Sequence, residues 1–92
     1  MDELIANYPA IIELLESRFD SHTFILELAH AQQAAYVAAL NNYAAGGTPF
    51  QTLHAQLSKA LHGFPNLVQY VDEVRSPNIF GRVTPCAQWR KL

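Results

Sequence analysis

The chain is short of the groups that most often carry chemistry. It has one cysteine among 92 residues, Cys86, which excludes an internal disulfide and a zinc site built on several thiolates. A lone cysteine fits a reducing compartment. No stretch approaches the ~18 consecutive apolar residues of a membrane span. The opening residues, MDELIANYPA, are acidic and lack the basic, apolar, small-residue order of a signal peptide, which predicts a cytoplasmic protein with no membrane partner. No phosphate-cradling loop is present either: Gly46-Gly47 lacks the lysine of a P-loop.

Charge is scarce and unevenly placed. Asp, Glu, Lys and Arg are absent from residues 28–58, where an ordinary composition of about 25% charged residues would put roughly eight. Acids gather before this gap, at Asp2, Glu3, Glu13, Glu16, Asp20 and Glu27, against Arg18 alone. After it, residues 74–92 hold Arg75, Arg82, Arg90 and Lys91 and no acid. The formal net charge of −2 hides this asymmetry.

Half of the residues are hydrophobic, enough to argue against disorder, and the length suits one domain. Helical signals dominate. Pro9 and the apolar face of Ile11, Ile12, Leu15 and Phe19 predict a helix over 9–19. Asp20 or Ser21 caps a long helix over 22–44, which Gly46 and Gly47 end. This helix is apolar on two sides, as helices central to a domain or shared between subunits are. In a third helix Thr48, Pro49 and Gln51 spell a capping box, Phe50, Leu53, Leu57 and Leu61 make the core stripe, and Gly63 and Pro65 end it. The segment 66–74 reads as a short helix with Leu67, Val71 and Val74 inward, although its Val and Tyr content also allows a strand. Pro77, Asn78, Gly81 and Pro85 then mark an irregular tail. The expected fold is all-α: a bundle of three to four helices over 1–75, with a tail over 76–92 folded back by Phe80 and Trp89.

The phrases SHTFI, QQAAYVAALNNY, PFQTLHAQL and NIFGRVTPCAQWRKL, in this order, resemble segments of small uncharacterised bacterial helical proteins. The resemblance implies a bacterial source and brings no activity or site residue with it.

Metal and catalytic chemistry find little support in the spacing. His22 and His30, and His54 and His62, are pairs eight apart, rotated by about 80° on a helix, where helical metal pairs stand three or four apart. Cys86 sits between Pro85 and Ala87 with no neighbouring cation to activate it. No metal, cofactor or catalytic residue is expected, and the chain reads as a non-enzyme. The uncharged segment instead predicts a protein-interaction or self-association module. The simplest form is a homodimer meeting along the long helix through Gln32, Gln33, Tyr36 and Tyr43, because interface cores are poor in charge and rich in aromatics. The alternative is a nucleic-acid-associated protein whose tail offers Arg75, Arg82, Arg90 and Lys91 beside Phe80 and Trp89. The third helix, the HGFPN turn and LVQYVDEV also copy helix-turn-helix spacing. That last segment is acidic and apolar, however, and offers only Gln69 to a base edge.

Overall fold

A computed structural model describes all residues from Met1 to Leu92. Five helices and three strands follow in the order α1 (Asp2–Ala6), α2 (Tyr8–Leu14), β1 (Arg18–Asp20), α3 (Ser21–Ala31), α4 (Gln33–Asn41), α5 (Pro49–Ala60), β2 (Val68–Pro77) and β3 (Val83–Lys91). Single 3-10 turns occupy Ala44–Gly46 and Leu61–Gly63. The strands form one antiparallel sheet in the order β1-β3-β2. The chain is therefore mixed α/β, which overturns the all-α helical bundle expected from the sequence.

The error lies in the last third. Residues 66–74 are not a fourth helix and 76–92 are not an irregular tail; they are the two arms of a hairpin. The supposed breakers build its turn. Asn78 donates its N–H to the Arg82 carbonyl at 2.8 Å and accepts from the Gly81 N–H at 2.9 Å. Its side-chain oxygen accepts from the N–H groups of Phe80 and Arg82, and Gly81 takes the left-handed φ of +81°. This is a three-residue hairpin loop in which only glycine fits the last position without strain. Tyr70 stands opposite Trp89 and Asp72 opposite Gln88, so Val71 is the extra residue of a β-bulge. The border expected at 75/76 falls inside β2.

The helices also depart from their expected bounds. The 9–19 helix is α2, ending at Leu14, with a separate α1 before it and Phe19 placed in β1. The long 22–44 helix breaks at Gln32, whose backbone leaves the helical region at φ −128°, ψ 55°. The break lets each half bury its own face, Phe24, Ile25 and Leu28 from α3 and Tyr36 and Ala39 from α4. That accounts for the two apolar lines in one stretch of sequence. Asp20 caps α3 by accepting from the Thr23 N–H at 2.8 Å. Thr48 does not cap α5 through its side chain, so no capping box forms; the Thr52 hydroxyl donates to the Thr48 carbonyl instead. Gly63 does not adopt the left-handed conformation; only Gly47 and Gly81 do.

Trp89 ties the hairpin to the helices. It is 1% exposed, and its indole N–H donates to the Ser21 hydroxyl at 2.9 Å. Ser21 in turn shares a hydrogen bond of 2.6 Å with Ser58 of α5. Tyr8 donates to the Leu57 carbonyl at 2.6 Å and packs on Phe24 and Phe64. No buried side-chain nitrogen or oxygen lacks a partner, so these polar groups cross the core without a desolvation penalty left open.

Candidate functional site

The leucines of α5, Leu53 and Leu57, continue into Leu61 of the following turn and point into the core. That periodicity fixes the opposite face. Gln51, Thr52, Ala55, Gln56 and Lys59 are exposed along it, and α5 contains no acid. The hairpin lies beside this helix. Its tip residue Phe80 meets Phe50 of α5 edge to face at 4.8 Å.

His22 holds the hairpin to α3. Its Nδ1 lies 3.1 Å from the Ser76 carbonyl and 2.9 Å from the Ser76 hydroxyl, and its Nε2 lies 3.4 Å from the Thr84 hydroxyl. A carbonyl only accepts, so Nδ1 carries a hydrogen and donates to it, while Nε2 faces the Thr84 hydroxyl. With its proton on Nδ1, the ring clasps Ser76 and does not deprotonate it. Cys86 approaches the same hydroxyl at 3.5 Å.

A cleft of about 390 Å³ lies where α3, α5, the turn after α5 and β3 meet. His22, His54 and His62 line it together with Ser58, Lys59 and Cys86. His54 is anchored by a 2.7 Å bond between its Nε2 and the Tyr36 hydroxyl. Burial holds the His54 pKa below its ordinary value, with the nearby His22 ring a lesser cause. Burial likewise pushes the Tyr36 phenol up, so this bond joins two neutral groups near neutral pH. No set of three His, Cys, Asp or Glu side chains stands close enough to hold a metal ion. Sequence reasoning treated the histidines as sequence pairs and missed this convergence. The signal was His54, Ser58 and His62 at steps of four beside the leucine stripe. An ~80° fan over eight residues lines one concave wall although it is too wide for one ion.

The expected interface residues differ in exposure. Tyr36 is turned inward and is 8% exposed. Gln32 and Tyr43 are half-buried, and Gln33 is exposed with its amide donating to the His30 carbonyl. The open surface of α4 is instead Ala34, Val37, Ala38 and Asn41, with Val37 61% exposed.

The expected nucleic-acid cations are spread along the hairpin. Arg75 donates to the Val83 carbonyl at 3.4 Å, and Arg82 follows the loop glycine Gly81. Arg90 donates to the Gln69 side chain. Lys91 donates to the carbonyls of Glu13 and Leu15 at the end of α2. Eight residues of extended strand, ~27 Å, separate Arg82 from Arg90. No family model, curated protein or solved structure matches the chain.

Proposed function

We propose that the chain binds duplex DNA in the manner of a winged helix-turn-helix unit, with α5 in the major groove and the hairpin tip as a second contact. Helices, a turn, α5 and then a hairpin closing a β1-β3-β2 sheet is the connectivity of such units. Connectivity alone does not give function. The observation that carries the reading is the outer face of α5, exposed, acid-free and made of hydrogen-bonding side chains. Gln51 and Gln56 suit adenine, Thr52 suits more than one base, and Ala55 suits a thymine methyl. The helix has 12 residues, a length of about 18 Å. Arg75 and Arg82 supply cations where the hairpin would meet phosphates or a minor groove. The test is selection from a pool of random duplexes, followed by affinity measurements with Arg82→Ala. Enrichment of a preferred site, uniform weakening by Arg82→Ala and a salt slope flattened by about 1 support the reading. A pool that shows no enrichment and no salt-dependent binding contradicts it.

A second reading, self-association, is favoured by the open face of α4. A helix apolar on all sides is normally covered. Ala34 and Ala38 permit close approach, and Val37 and Asn41 can meet their own copies across a two-fold axis without like-charge repulsion. Sedimentation at micromolar concentration tests it: a dimer supports the contact, and a clean monomer removes it.

A further inference from the structure

The histidine-lined cleft is an open groove whose floor is the Ser21, Ile25 and Ser58 layer of the core edge and whose rim carries the exposed Lys59 and His62. Its volume of about 390 Å³ falls within the roughly 300–1,000 Å³ of small-ligand sites. Its polar lining consists of imidazoles, hydroxyls, one thiol and the Lys59 ammonium, and no carboxylate reaches it. The acids adjacent in sequence face elsewhere: Asp20 and Glu27 line a separate depression with Arg18. A lining free of carboxylate, with the Lys59 ammonium and the His62 ring engaged in no hydrogen bond of their own, favours an anion over a cation. The other polar groups are held in place. His54 is fixed through Tyr36, His22 through Ser76 and Thr84, and Ser58 through Ser21. His62 is packed edge-on against Trp89 at 4.8 Å.

The place of the cleft narrows the ligand further. It is bounded by α3, α5 and β3, next to the exposed face of α5, so a nucleic-acid backbone seated on that face would pass near it. We infer that the cleft is a phosphate-binding site, with Lys59 and His62 as its principal contacts and His22 and His54 as its walls. The chemistry stands on the lining alone; a DNA backbone as the source of the phosphate rests on the reading of α5 and the hairpin given above. Phosphate bound beside His54 would draw the histidine's depressed pKa back upward.

The test uses the full chain and inorganic phosphate, followed through the imidazole resonances of His22, His54 and His62 at constant ionic strength. Saturable shifts at these rings support the site. Lys59→Ala should weaken phosphate about tenfold or more, the loss of one charge-assisted hydrogen bond. Lys59 is exposed, so this variant keeps the fold; His62→Gln serves as the second variant, checked by melting. A duplex that displaces the phosphate shifts supports the backbone as the source. A duplex that binds without displacing them supports a free phosphate or phosphorylated small molecule. Failure of any duplex to bind, with phosphate still saturating, removes the DNA reading and leaves the site. Rings that do not respond to phosphate overturn the site, whether or not a duplex binds.

Discussion

The outer faces of α4 and α5 share one property and differ in another. Both lie within the segment that lacks ionised side chains, up to Lys59, and both are exposed in the single chain. On α5 the exposed positions are glutamine, threonine and lysine around one alanine; on α4 they are alanine and valine, with a glutamine and an asparagine at its two ends. The scarcity of charge that marks the whole segment in sequence therefore has two physical meanings. The α5 face can exchange its hydrogen bonds with water for bonds to polar base edges. The α4 face gains only by leaving water, which a second protein surface provides.

The largest way to break the comparison is to remove what supports both faces. Trp89→Ala deletes a buried indole and the bond to Ser21. The expected cost is about 3–5 kcal/mol, read as a fall of tens of degrees in the melting midpoint or loss of folding; a small shift would mean that the hairpin is not anchored there. Next comes a pair of charge insertions. Gln56→Glu should weaken duplex binding by about a hundredfold and leave sedimentation unchanged. Val37→Glu should do the reverse, since each new carboxylate meets its own copy across a two-fold axis. Identical effects from both variants would erase the distinction between the faces.

Smaller effects sharpen the local account. Asp20→Ala removes the one side-chain cap bond seen at a helix start, at an expected cost of about 0.5–2 kcal/mol by thermal melting. Acidification gives a weaker response. The folded His54 has a pKa below its ordinary 6.5, so folding is at full strength above that value and loses strength as pH falls through the depressed one. His54→Gln should flatten the stability profile in that window. Smallest of all is Thr48→Ala, which removes no side-chain bond to the helix end and should change stability by no more than ~0.5 kcal/mol, read by thermal melting.

These contrasts also show what the sequence could reveal. The α5 core stripe was legible because Leu53, Leu57 and Leu61 repeat at one helical step and Pro49 sets the start. Asp20 was legible as a cap for the same local reason. The capping box at Thr48 misled because backbone angles of φ −131° and ψ 59° place its side chain outside cap geometry. The hairpin was hidden because its pairing is long-range. Asn78 and Gly81 look like generic breakers until the arms on either side are seen to register Val68 with Lys91. The bulge at Val71 further shifts the two-residue alternation that betrays a strand. The cleft was least visible, since His22, His54, His62 and Cys86 come from α3, α5, a turn and β3. No spacing within one helix encodes that meeting.

The most direct test follows the backbone amide resonances of the whole chain as a preferred duplex is added. The account expects shifts at Gln51, Thr52, Ala55, Gln56 and Lys59 on α5 and at Arg75 and Arg82 by the hairpin tip, with Ala34, Val37 and Ala38 of α4 unmoved. Shifts confined to α4, or none at any duplex concentration, would contradict it.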